Sequence, residues 1–212
     1  MTLRVPNISK PNASQWDAAW VGCPYSTYFH SREWAEIWEQ TTESAIRPAP
    51  LELELSNGIT AILPFSCAGK GITESHISSP GGTFGGWIAK KSLSDLEQQV
   101  ITTYIRKQYP NLIWRLNPYE KILQPIKFGS LKKEVTHTLN LDDGLNSIEK
   151  QWNKRRQTSA AKKAISYGVG IIQAECEQDW RNYYSVYEDS LIRWNEKATS
   201  KYSWRFFEAL YE

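Results

Sequence analysis

Residues 51–65, LELELSNGITAILPF, decide the fold class of this chain. Leu51, Leu53 and Leu55 alternate with Glu52 and Glu54, so an extended chain turns three leucines to one face and two glutamates to the other. Asn57-Gly58 follows, and this pair tolerates the positive φ angles of a type I′ turn. The spacing therefore predicts a β-hairpin with one buried face. A sheet is present, and the remaining elements are read relative to it.

Upstream, residues 3–8 read as a short opening strand and residues 13–21 as a helix with Trp16 and Trp20 on one side. Ser31 is an N-cap residue for SREWAEIWEQ, where Trp34, Ile37 and Trp38 form an i, i+3, i+4 stripe. Core packing explains Ile37; a tryptophan at a helix start, after the aromatic loop YFH, also suits the floor of a ligand groove. Downstream, residues 72–79 read as a third strand leading into SSPGGTFGG (78–86). Ser92 is expected to open a helix that Pro110 ends, with Asp95 near its positive end. NLIWRLNP reads as a buried strand, and VTHTLNL alternates as another, with Val135, His137, Leu139 and Leu141 on one face. The outline is α/β or α+β with a mixed or antiparallel sheet.

The last third changes character. Residues 144–169 are helical and basic, with six Lys or Arg against one Glu. Leu145, Ile148 and Trp152 share a face with Arg156, Ser159 and Lys163, so the stripe is apolar first and cationic later. Arg155, Arg156, Lys162 and Lys163 are candidate anion-binding residues; a solvated basic surface accounts for them equally well. Gly168 supplies a C-cap, VGIIQA a further strand, and residues 177–196 a helix rich in aromatic residues. SWRFFEALYE is helical and stops at Glu212 without a capping signal, as if cut in mid-element.

The 212 residues are 41% apolar, with ten tryptophans and eleven tyrosines, enough for a substantial aromatic core. A net charge of +2 argues against a DNA-binding protein, so an anionic partner needs a local cationic site. Three widely spaced cysteines and three histidines offer no zinc spacing, and no metal is expected. The cysteines suit a reducing compartment. The N-terminus lacks a signal-peptide pattern and no stretch is long enough to cross a bilayer, so a cytoplasmic protein is expected.

The glycine-rich run does not fit a phosphate loop. Trp87 and Ile88 stand where a Walker loop needs Lys and Ser or Thr, and no helix begins at Gly86 to supply aligned N–H donors. It reads as a turn, with Gly81, Gly82, Thr83 and Gly85 as groove-lining candidates because glycines allow close approach. The sequence has no GxSxG or HExxH motif, and nothing separates Glu188 or Asp189 from the background as a general base. Arg193, among tyrosines and Trp194, is either an anion clamp or an ordinary helix-edge arginine.

Several stretches together resemble the FemAB family and its acetyltransferase-like relatives in bacteria. They are YFHSREWAEIW, LPFSC, SSPGGTFGG, VTHTLNLDDGLNSIEKQWNKRRQTSAAKKAISYGVGI and DWRNYYSVYEDSLIRW. The resemblance implies two tandem GNAT-like domains, with residues 1–133 forming the first and 134–212 opening the second. It implies transfer of an acyl or aminoacyl group to an amine of a cell-wall or surface-polymer precursor, peptidoglycan being one such polymer. Acyl-CoA or aminoacyl-tRNA would be the co-substrate, with no tightly bound cofactor and a small-molecule or nucleotide-linked acceptor. By position it places Trp34, Tyr187, Arg193 and Tyr202 at the acceptor. The donor-binding part is expected beyond Glu212. The competing expectation is a non-catalytic GNAT-like module that binds an anionic nucleotide-sugar or RNA.

Overall fold

A computed structural model describes residues 3–5, 7–120, 132, 134–142, 144–151, 159–198 and 200–212. It is a mixed α+β structure with seven helices and two small open sheets among those residues. Strands β3 (Leu51–Glu54) and β4 (Thr60–Leu63) form the hairpin, in register Leu51 to Leu63 and Leu53 to Ala61. Leu53 and Leu55 are buried. Glu52 and Glu54 are bonded by Ser9 and Asn7 of β1 (Asn7–Ser9), which pairs antiparallel with β3. The opening strand is thus shorter and later than residues 3–8.

The turn also differs from the expected type I′. Gly58 N donates to Leu55 O and Leu55 N to Ile59 O, enclosing three residues, and only Gly58 has positive φ (81°). This is the three-residue loop in which a glycine takes the left-handed position. Asn57 instead donates its side-chain amide to Glu97 Oε1 at 2.8 Å, tying the turn to a helix.

The second sheet runs in the order β2 (Ile46–Pro48), β5 (Ser66–Ala68), β6 (Ser75–Ile77), β7 (Leu112–Ile113), with only β6 and β7 parallel. Helix α1 (Ala13–Gly22) starts at an Asn12–Gln15 capping box, and α2 (Arg32–Thr41) at Ser31, whose hydroxyl accepts from Trp34 N. Helix α3 (Asp95–Gln108) begins two residues later than expected, because Leu93 is committed to the core and Ser94 makes the capping box with Glu97. The first core joins Trp16, Leu53, Leu63, Phe65, Trp87, Ile88, Ile101 and Ile105.

Three expected strands are corrected. Residues 112–113 form an edge strand with Ile113 exposed, since nothing among the described residues pairs with its outer side. Residues 135–141 and 169–174 are not strands: Val135, Leu139, Leu141, Val169, Ile171 and Ile172 are exposed. Alternation describes a face, but a strand also needs a neighbour to satisfy its backbone. The basic region holds α4 (Leu145–Gln151) and α5 (Ser159–Ser166), and Gly168 caps α5 with φ 76° while Val169 N bonds Ala164 O. Helices α6 (Glu177–Trp194) and α7 (Trp204–Tyr211) pack with α2 in a second, aromatic core. That core draws on residues from both sides of the 133/134 boundary.

Candidate functional site

The site is built where α2 begins. The 3-10 turn Tyr28–His30 carries Phe29 and Tyr28 onto Trp34, with ring centroids 5.3 and 5.9 Å away. His30 beneath it has no exposed surface; Thr27 N donates to its Nδ1 at 3.1 Å, which leaves the proton on Nε2. Among the described residues, Nε2 has no hydrogen-bond partner. Burial pushes the imidazole down to about 4, with the Thr27 and Gly85 backbones acting in the other direction. His30 is therefore a neutral structural group near pH 7.

The glycine turn closes over this corner. Ser79 donates to Phe29 O at 3.2 Å, and Thr83 to Pro80 O at 2.7 Å. Gly81 and Gly82 have φ of 71° and 72°, in the left-handed region that favours glycine. A Cβ on Gly81 would lie 2.6 Å from Trp38 Cζ2 and 3.5 Å from Trp34 Cζ2. Gly85 donates its amide to Arg115 O at 2.9 Å, and a Cβ there would meet Ser78 O at 2.2 Å. The close approaches that require glycine are thus to indole edges and backbone. Gly82 faces the Arg115 guanidinium, whose Nη1 is 2.5 Å from Glu134. No helix follows until Asp95, so no helix N-terminus is presented to a phosphate.

Trp34, Tyr187 and Tyr202 come together through α7. Phe206 lies 6.0 Å from Trp34 and is stacked on Tyr202 at 4.7 Å, and Tyr202 stacks on Tyr187 at 6.4 Å. The Tyr187 hydroxyl accepts from Tyr202 N and donates to Ser200 O, so it orders the chain entering α7. Among the described residues, the buried indole N–H groups of Trp34 and Trp38 have no hydrogen-bond partner.

Arg193 is not part of this gathering. It is exposed on the last turn of α6, with Nη2 on Ser190 Oγ at 2.9 Å and Nε 3.5 Å from Asp189. Lys162 and Lys163 are exposed on α5, Lys163 lying 5.7 Å from the Tyr167 ring; Arg155 and Arg156 fall outside the described residues. Sequence reading missed Trp38, Phe206 and Arg115 at this corner. Trp38 was legible on the α2 stripe, but nothing local joins residues 206 and 115 to it.

Among the described residues, no three His, Cys, Asp or Glu side chains form a metal-binding group, and no helix is long and apolar enough to cross a membrane. Cys23 and Cys67 are buried free thiols and Cys176 an exposed one. Compared with protein-family models, with curated proteins and with solved structures, the chain shows no significant match.

Proposed function

We propose that this chain is part of a FemAB-like N-acyltransferase of GNAT-like fold, acting in the cytoplasm. It would transfer an acyl or aminoacyl group from acyl-CoA or aminoacyl-tRNA to an amine of a cell-wall or surface-polymer precursor. The acceptor would lie against the corner made by Trp34, Trp38, Tyr202 and the Gly81–Gly82 turn. One observation carries this reading: two indole N–H donors are buried beside that turn with no acceptor among the described residues. A buried donor without a partner costs about 1–3 kcal/mol, which a ligand oxygen would recover. In acyl transfer, donors placed beside a carbonyl or developing oxyanion stabilise it.

The test is calorimetric titration of a nucleotide-linked amino-sugar peptide into wild type and Trp34→Phe, which keeps a ring and removes the N–H. Binding in the wild type that weakens at least tenfold in the variant, with the variant still folded at the titration temperature, supports the site. Absence of binding to the wild type refutes it. The second reading is a non-catalytic GNAT-like module for an anionic partner, favoured by the exposure of Lys162, Lys163 and Arg193. It requires that binding of a nucleotide-sugar or RNA fall steeply with salt and weaken in Arg193→Ala.

A further inference from the structure

The turn after β7 delivers one carboxyl into the first core. Asn117 builds that turn: its side-chain amide donates to Tyr25 O at 2.7 Å, its side-chain oxygen accepts from Tyr119 N at 3.0 Å, and its carbonyl accepts from Glu120 N. Glu120 is consequently directed inward and is only 7% exposed. Its Oε1 accepts the indole N–H of Trp87, a residue with no exposed surface. Its Oε2 lies 3.8 Å from where a Gly86 Cβ would stand, and Trp114 Nε1 is 3.7 Å from the same point.

Among the described residues, the groups that face this carboxyl are neutral. The loop after α1 contributes the Tyr25 hydroxyl, the segment after the glycine turn contributes Trp87, and β7 leads into Trp114. No lysine, arginine or histidine among the described residues makes an ion pair with Glu120. A carboxylate buried with a neutral donor and no cation is poorly stabilised, so this geometry favours the protonated acid. Burial pushes Glu120 up to about 8, against the opposing pull of the Trp87 hydrogen bond. Burial, reinforced by Glu120, also holds the Tyr25 hydroxyl far above its ordinary range.

The turn has a mechanical neighbour. Gly85 bridges to Leu116 through its bond to Arg115 O, and one residue past Trp87 the chain is tied to β4 by the Ile62–Ile88 pair. Glu120 fastens the end of one partner of that bridge to the segment that continues the other.

We propose that Glu120 is a proton-operated latch: as the neutral acid it holds turn 117–120 against Trp87 and Tyr25, and on ionisation it leaves the core and frees the Gly85–Leu116 bridge beside the glycine turn. The sign follows from linkage. A carboxyl with a folded pKa above its unfolded value stabilises the closed form fully below the unfolded pKa. That contribution is lost as pH rises through the folded pKa. Opening therefore becomes about tenfold easier per pH unit between roughly 5 and 8, and levels off above that.

The experiment uses the whole chain labelled with 13C at the glutamate carboxyls, with amide-exchange protection factors corrected for the intrinsic pH dependence of exchange. The expected result is one carboxyl titrating near pH 8, absent from Glu120→Gln. The Gly85 amide should lose protection about tenfold per pH unit in wild type and be flat in Glu120→Gln. At pH 8 it should exchange at least tenfold faster than the Ile101 amide of α3. A Glu120 titration near 4.5, an unchanged slope in the variant, or Gly85 and Ile101 exchanging together would each overturn the latch. Should Glu120→Gln fail to fold, the wild-type titration and the Gly85-to-Ile101 comparison still decide it.

Discussion

Gly81 and Gly82 form a natural controlled experiment. Their φ angles are 71° and 72°, so an alanine at either position meets the same left-handed backbone. That conformation costs an L-residue about 1–2 kcal/mol, partly offset by about 0.4–1 kcal/mol from a less flexible unfolded chain. Their surroundings differ. The nearest atom to a Cβ on Gly82 is 3.8 Å away in the mobile end of Arg115, whereas on Gly81 it is the Trp38 ring at 2.6 Å. Trp38 is buried and packed edge-on against Trp34 and Phe206, so it has little room to withdraw. Overpacking of this kind adds about 1–3 kcal/mol. Gly82→Ala should thus cost about 1 kcal/mol and Gly81→Ala about 2–4 kcal/mol. With urea m-values of about 1–3 kcal/mol/M, the two midpoints should separate by about 1 M at unchanged slope. Trp38→Phe removes the ring atoms in contact and should make Gly81→Ala less harmful in that background. Equal losses from the two alanines, or no rescue by Trp38→Phe, would refute the idea that the glycine is required by the indole.

Two further outcomes concern pH. Burial raises the Glu97 carboxyl, but the Ser94 backbone and hydroxyl, the Asn57 amide and the Lys91 charge together bring it below its ordinary value. A depressed carboxylate stabilises above its unfolded pKa and loses that contribution as pH falls, so Glu97→Gln should cost about 1–2 kcal/mol at pH 7 and much less at pH 3. Equal losses in urea melts at the two pH values would remove the charge from the explanation. His30 is buried neutral, with its folded pKa about 4. Its contribution is complete above pH 6.5 and lost on acidification towards 4, a change of up to about 3 kcal/mol. His30→Gln should flatten the stability profile in that window, and an unaltered profile would place the titration elsewhere.

The legible parts of this fold were those whose determinants lie within one turn or one strand. Ser31 announced α2 because its hydroxyl bonds an amide three residues on, and the leucines of β3 faced the core as their alternation required. The type I′ turn failed for a non-local reason: Asn57 is held by Glu97, forty positions away, and the loop takes one more residue. Val135 to Leu141 carries a strand pattern, but pattern does not supply the pairing partner. For the site, Trp34 and Gly81 were both visible in the sequence. That an indole edge comes so close to Gly81 depends on Trp38 and the path of the chain between them. Glu120 was invisible as a special residue because its donor, Trp87, has no sequence relation to it.

The second aromatic core has a consequence for synthesis. Trp34 and Trp38 leave the ribosome well before Phe206, the α7 ring that packs on both of them. At 5–20 residues per second, Phe206 is made roughly ten to thirty seconds after Trp34. During that interval the apolar face of α2 has no α7 to cover it and is open to chaperones or to a neighbouring nascent chain. Yield in the cell should therefore depend on translation speed and chaperone supply more than the stability of the finished protein would suggest.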